Sequence, residues 1–199
     1  MASSPTDICN LALGHLGEAP IASMDDDSVA ARACARHYPG TRDQLLRSHR
    51  WNFAQARATL TRLNEAPAFG WSYQYALPSD CLRVLEVNDS EVGDVETDTF
   101  IVEGRFLLTD ADAVRMVYLR RIEETSEFDE LFTECFALKL AIVLSETIRG
   151  TTSKTADLAQ MYERVTAPLA RRIDANEGRR RKGLISVSSA FVRARGGGA

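Results

Sequence analysis

The sequence predicts an α+β fold in which a helical bundle carries a small inserted antiparallel β subdomain. Apolar residues recur at helical spacing near both ends of the chain, whereas short runs of strand character fill its middle. No alternation of strands and helices of the βαβ kind is present in the pattern. With 199 residues, 45% of them hydrophobic, the chain is long enough to form the core of one domain.

These changes of pattern divide the chain into four parts. Residues 1–51 are predicted to form N-terminal helices, residues 52–122 a β-rich subdomain, and residues 123–178 a C-terminal helical hairpin that completes the bundle. Residues 179–199 are predicted to form a basic extended arm. No run approaches the roughly 18 apolar residues of a membrane-spanning helix, and the N-terminus shows no secretory signal, so we expect no membrane partner.

Two N-terminal helices have recognisable signals. Ser4 is a preferred N-cap, Pro5 fits the first helical position, and Gly17 is suited to ending the first helix. The second helix is predicted to start near Asp27. Because proline cannot donate to the carbonyl four residues back, we expect a kink or a break at Pro39.

The β-rich subdomain contains five or six short strand candidates. They are the runs YQYALP, CLRVLEV, TFIVEG, RFLLT and AVRMVYLR, preceded by the alternation FAQARATL. Gly104 in VEGRF predicts a tight hairpin turn. We expect these strands to form one small antiparallel sheet.

Two long helices are predicted after residue 125. The first contains CFALKLAIVL, which is apolar nearly all round and therefore predicts burial on several sides. The second runs from about Ser153 to Glu177, and Pro168 is expected to bend it. A short loop between them predicts an antiparallel hairpin. The apolar stripe of the second helix comprises Leu158, Met161, Tyr162, Val165, Leu169 and Ile173.

The net charge of −4 is unevenly distributed along the chain. From Arg171 to the end there are eight basic and two acidic residues, a balance of +6, so the rest of the chain carries −10. An acidic body with a basic tail predicts that the tail binds something negative. The candidates are nucleic acid, an acidic partner protein and the acidic body of a neighbouring copy.

No arrangement typical of catalysis appears in the sequence. The three histidines, His15, His37 and His49, have no nucleophile motif beside them, and P-loop, GxGxxG, GxSxG and HExxH motifs are missing. The four cysteines are scattered without a CxxC pair, which favours reduced core thiols over a zinc site. We therefore predict that the protein is not an enzyme and has no catalytic, cofactor-binding or metal-binding residues.

The stretch from Ile8 to Ala54, which includes NLALGHLG and RSHRWNFA, resembles the N-terminal signature of a phage protein family. The family is tail tubular protein A, the head-to-tail adaptor of tailed bacteriophages and prophages. Residues 75–87, YALPSDCLRVLEV, are similar to the family's sheet region, and the resemblance covers most of residues 6–180. The matching residues of the first stretch are Asn10, Leu11, Ala12, Leu13, Leu16, Gly17, Ile21, Ser23, Ala30, Ala31, Tyr38, Arg42, Asp43, Leu45, Leu46, Trp51, Asn52, Phe53 and Ala54.

This resemblance implies a structural virion protein, made in the bacterial host cytoplasm and located in the neck between capsid and tail. Family members form a dodecameric ring beneath the portal protein. The ring extends the DNA channel and is the platform for tail, nozzle or tail-terminator proteins, while DNA passes through without specific recognition. The fold of the family, a helical bundle with a β-rich subdomain, agrees with the pattern described above.

The resemblance also gives roles to three groups of residues. Trp51 and Phe53 are expected to form a structural joint between the second helix and the first strand. Arg42, Arg47 and Arg50 are expected to be exposed and are candidates for salt bridges between neighbouring copies. The basic arm is expected to dock on the portal, by strand addition or by contacts with acidic grooves, through Arg179, Arg180, Arg181, Lys182, Leu184, Ile185, Val187, Phe191, Val192, Arg193 and Arg195.

Two alternatives remain open at this point. The chain could be another neck or head-completion protein, or a tail-terminator ring. A DNA-binding protein that uses the basic arm is less favoured, because an acidic body repels DNA and the basic cluster lacks interleaved aromatic residues for base stacking.

Overall fold

The computed structural model describes residues 4–88, 90–91, 100–148, 150 and 153–178 and contains five α-helices in this part of the chain. Two of them precede the strands and three follow. They are α1 (Pro5–Leu16), α2 (Val29–Ser48), α3 (Glu130–Ile148), α4 (Ser153–Met161) and α5 (Ala167–Glu177). A π-helical turn, Tyr162–Thr166, joins α4 to α5, and short 3-10 turns lie at Asn52–Ala54 and Thr125–Glu127.

The ends of α1 agree with the sequence prediction. The Ser4 hydroxyl accepts a hydrogen bond from the Asp7 amide at 3.1 Å, and the Asp7 carboxylate accepts one from the Ser4 amide at 2.8 Å. This reciprocal pair satisfies two amides that the first helical turn leaves without partners. At the other end, Gly17 adopts a φ of 72°, a left-handed conformation that glycine takes without a steric penalty.

The two prolines within the helices have different effects. The predicted break at Pro39 is wrong, because α2 is continuous from Val29 to Ser48. Pro39 and Ala35, whose carbonyl loses its helical donor, both lie on the exposed side of α2, where water can replace that bond. Before Pro168 the helix widens into the π-helical turn, in which the Ala167 amide donates to the Tyr162 carbonyl five residues back.

The seven strands found in the described residues form two antiparallel sheets rather than the single sheet expected from the sequence. The four-stranded sheet has the order β1–β7–β3–β4, and the three-stranded sheet has the order β2–β6–β5. Gly104, with a φ of 58°, begins the two-residue turn that joins β5 to β6, as predicted. The strands are β1 (Gln55–Leu60), β2 (Tyr73–Ala76), β3 (Cys81–Val87), β4 (Ser90–Glu91), β5 (Phe100–Glu103), β6 (Phe106–Thr109) and β7 (Val114–Arg120).

The four-stranded sheet lies between the helices and the three-stranded sheet. Alternate residues of β7 show this, because Val117 and Leu119 belong to the core that the helices form. Val114, Met116 and Tyr118 belong to a second core that also contains Tyr75 of β2 and Leu107 of β6. Successive side chains of a strand point to opposite faces, so β7 contributes to both cores.

Candidate functional site at the junction of helices and sheet

The aromatic residues that follow α2 lie where the helices meet the four-stranded sheet. Trp51 is 1% exposed, and its indole N–H donates to the Leu45 carbonyl of α2 at 3.0 Å. Its ring makes an edge-to-face contact with Phe132 of α3, with 5.3 Å between the ring centroids. Phe53 lies 5.1 Å from the same Phe132 ring. Trp51 and Phe53 therefore connect the end of α2, the start of β1 and the first turn of α3.

A buried carboxylate ties the last helix to the same place. Asp174 of α5 is 9% exposed and accepts a hydrogen bond from the Asn52 backbone amide at 2.8 Å. Its other carboxylate oxygen lies 3.1 Å from Nε2 of His49. The Asn52 side-chain amide donates to the Asp174 carbonyl. We call this set, His49, Trp51, Asn52, Phe53 and Asp174, the junction.

His49 gives the junction a dependence on pH. Burial lowers the pKa of His49, while the Asp174 carboxylate acts in the opposite direction without cancelling the effect. Because the folded pKa lies below the ordinary value of 6.5, the unfolded chain takes up the proton first as the pH falls. The contribution of His49 to stability is thus complete above about pH 6.5 and decreases below it.

We predict that the free energy of unfolding falls more steeply between about pH 7.5 and about pH 5.5 in the wild type than in His49→Gln. Glutamine retains a polar group beside Asp174 but does not titrate. Urea unfolding at several pH values measures both slopes. Equal slopes would show that His49 does not contribute to the pH dependence.

Gly178 approaches the junction too closely for a side chain. A Cβ atom at this position would lie 2.8 Å from Nδ2 and 2.9 Å from Cγ of Asn52, and closer still to its Oδ1. Asn52 cannot move freely, since its amide group donates to the Asp174 carbonyl and its Oδ1 accepts from Gln55 Nε2 at 3.2 Å. The end of α5 is therefore seated against the start of β1.

We predict that Gly178→Ala lowers the free energy of unfolding by about 1–3 kcal/mol, because the added methyl group displaces Asn52. Gly40→Ala is the matched control. Gly40 lies inside α2 with nothing within 4 Å of its added Cβ, so the same change should stabilise the protein by up to about 1 kcal/mol. Chemical denaturation of both variants measures whether each substitution lowers or raises the free energy of unfolding. A Gly178→Ala protein as stable as Gly40→Ala would contradict the close contact.

The three arginines proposed for contacts between copies all have partners within the chain. Arg42 was expected to be exposed, which is wrong: it is 8% exposed. Its guanidinium lies 2.9 Å from the Asp43 carboxylate and 3.6 Å from that of Glu123. Arg47 is exposed and donates to the Leu82 carbonyl at 2.6 Å.

Arg50 is half-buried and lies 2.6 Å from the Glu86 carboxylate of β3. The sequence did not show these partners, because α2, β3 and the segment after β7 meet only in the folded chain. Their roles between copies stay a prediction. The docking residues assigned to the arm, 179–195, lie outside the described residues.

Asp174 is the residue of the junction that sequence reasoning missed. A signal for it exists, because it follows Tyr162, Thr166 and Ala170 at intervals of four residues. All of these are buried in the structure. An acid that continues the buried side of a helix predicts a specific partner.

The apolar stripe predicted for the last helix is only partly buried. Leu158 and Tyr162 are 7% and 8% exposed, and Ala167 and Ala170 complete the buried side. The remaining four apolar residues recur at intervals of four and remain in contact with solvent. They are Met161, Val165, Leu169 and Ile173, which are 43%, 59%, 36% and 37% exposed. We call these four residues the outer stripe.

The potential metal ligands of the described residues do not come together. In this part of the chain, no group of three or more His, Cys, Asp or Glu side chains is placed to hold a metal ion. All four cysteines are buried free thiols. None of the described helices is both long enough and apolar enough to cross a membrane. What the junction does is mechanical: it fixes the end of α5 relative to α2, α3 and β1.

Comparison with known proteins identifies the family of the chain. A family model described as Tail tubular protein matches residues 6–170, a range that includes α1 apart from its first residue, α2 to α4 and both sheets. The chain belongs to the tail tubular protein family. No curated protein matches it. The protein is accordingly a structural component of a phage tail, located in the virion, and its family is not one of enzymes.

Proposed function

We propose that this tail tubular protein is a head-to-tail adaptor. In this proposal, twelve copies form a ring beneath the portal protein, the ring continues the DNA channel, and its lower side is the platform for the tail. Two findings support it. The family match extends across the helical and β layers, and the stretch from Ile8 to Ala54 resembles the adaptor signature.

The observation that carries the ring proposal is the outer stripe. Four apolar side chains at intervals of four residues lie on one side of a helix, and large exposed apolar patches mark interaction surfaces. A second copy of the chain is the occupant that we propose. The flanking exposed residues include Glu163, Arg164 and Arg172, so an identical chain can offer charges of both signs around the apolar centre.

The proposed role of the basic arm in binding the portal depends on where the arm begins. Only Gly178 separates the end of α5 from residue 179, and this end is held by Asp174 and by the close contact between Gly178 and Asn52. A fixed starting point raises the effective concentration of a short docking segment near its target. We propose that residues 179–195 bind an acidic surface of the portal.

Native mass spectrometry of the wild type, alone and mixed with its cognate portal protein, tests the proposal. We expect a closed ring in the presence of portal. A variant truncated after Gly178 should keep its free energy of unfolding to within about 0.5 kcal/mol, because it retains all the core residues that the structure describes. It should, however, fail to dock on heads that contain portal.

Two results would contradict different parts of the proposal. A wild-type chain that stays monomeric whether or not portal is present would contradict the proposed ring. Normal docking by the truncated variant would contradict the proposed role of the arm without affecting the proposal of a ring.

A further inference from the structure

A cleft of about 340 Å³ lies where the end of α2 approaches β3 and the β5–β6 turn. Three arginines from separate parts of the chain line it. They are Arg47 of α2, Arg83 of β3 and Arg105 of the β5–β6 turn. We call this the arginine cleft.

Backbone carbonyls, rather than carboxylates, hold two of these guanidinium groups in place. Arg47 donates to the Leu82 carbonyl at 2.6 Å. Arg105 donates to the Cys81 carbonyl at 3.1 Å and also to the Pro78 carbonyl. Arg83 is exposed, and within the described ranges none of the three forms an ion pair with Asp or Glu. A carbonyl satisfies a donor but does not neutralise a charge.

The cleft therefore brings together three positive charges, none of which is paired with a carboxylate within the described residues. Leu77, Val84 and Val102 also line it, and apolar walls reduce the screening of charges by water. A guanidinium group offers several N–H donors in one plane and pairs well with a carboxylate or a phosphate. The geometry favours an anion as the ligand of this cleft.

We propose that the arginine cleft binds an acidic side chain of a second copy of the chain. This proposal rests on the ring assembly proposed above and names a polar contact within it. An identical copy is rich in carboxylates, because the chain before Arg171 has a net charge of −10. A head-to-tail ring needs two unlike surfaces on each copy. The arginine cleft is positively charged, whereas the outer stripe is apolar.

Residue-resolved NMR of the full chain, titrated with a hexaglutamate peptide at low ionic strength, tests the chemistry of the cleft directly. We expect saturable shifts of the amides of Arg83, Gly104 and Arg105. In Arg83→Glu these shifts should require at least about tenfold more peptide, because a like charge then faces the ligand. The exposed Arg83 side chain makes no hydrogen bond or ion pair within the described residues, so the fold should be preserved.

Arg57→Glu is the matched control. Arg57 is also an exposed arginine of the four-stranded sheet, but it lines a separate cleft of about 290 Å³. This variant should retain the wild-type response at Arg83 and Arg105. Comparison of the two variants separates the local effect of Arg83 from a general loss of positive charge. It also allows for binding of the peptide to the basic arm, which both variants retain.

Three results would overturn the proposal. The cleft amides could fail to shift in the wild type, or they could shift equally in Arg83→Glu. Inorganic phosphate or a DNA duplex could also produce the same shifts at lower concentration than hexaglutamate, which would assign the cleft to phosphate groups.

Native mass spectrometry with portal separates this proposal from the adaptor proposal. A wild type that forms no ring would contradict the adaptor proposal, whereas the NMR titration tests anion binding by the cleft independently.

Discussion

Replacing Trp51 by alanine is expected to lower the free energy of unfolding by about 3–5 kcal/mol, the largest stability effect that we predict for this protein. Trp51 is 1% exposed, so its removal leaves a cavity between α2, α3 and β1. The substitution also leaves the Leu45 carbonyl without its indole donor and removes the edge-to-face contact with Phe132. Urea denaturation followed by circular dichroism measures the change.

Trp71→Ala is the control for this prediction. Trp71, the only other tryptophan, is half-buried in the segment between β1 and β2. Its replacement should cost less than about 1.5 kcal/mol, since a partly solvated side chain loses less burial and leaves no closed cavity. Equal destabilisation of the two variants would show that Trp51 contributes no more to stability than a half-buried tryptophan, and this would contradict the role that we give it in the junction.

Local features of this fold could be predicted from the sequence because their causes are local. The Ser4 cap, the Gly17 end of α1 and the Gly104 turn each depend on the conformational preferences of a few neighbouring residues. The α+β class followed from the change of apolar periodicity along the chain. Such signals do not require knowledge of which distant segments meet.

Long-range features could not be predicted in the same way. Strand candidates do not reveal that β1, β3, β4 and β7 form one sheet while β2, β5 and β6 form another, because pairing depends on distant partners. Arg42 appeared to be an exposed helical arginine, yet Asp43 accepts from both Arg42 and Arg121, which are 79 residues apart in the sequence, and this enclosure removes Arg42 from the surface.

The last helix shows that a correct apolar pattern does not decide which of its residues are buried. Its six apolar residues were identified as one stripe, but the sequence did not show which of them the core covers. Neighbouring helical positions differ by about 100°, so Leu158 and Tyr162 can face inward while Met161 and Val165 lie at the edge of the buried side. The small residues Ala167 and Ala170 complete the core contact instead, and the larger apolar side chains of the outer stripe are exposed in the described part of the chain.

A charge placed in the outer stripe is expected to abolish ring assembly without unfolding the subunit. Val165 is 59% exposed, so Val165→Glu should change the free energy of unfolding by no more than about 0.5 kcal/mol. In the proposed contact with a second copy, the same carboxylate would be buried against apolar groups without a partner. That burial costs at least about 2 kcal/mol for every contact around the ring, enough to reduce the affinity of each contact by about thirtyfold.

Val29→Glu provides a closely matched control for this substitution. Val29 is 61% exposed, and it is the first residue of α2, where an acid interacts favourably with the helix dipole. Both variants should therefore be as stable as the wild type, and native mass spectrometry with portal should detect rings for Val29→Glu and the wild type but not for Val165→Glu. Rings formed equally by both variants would exclude the outer stripe as the subunit contact, and loss of rings in both would point to added negative charge rather than to the stripe.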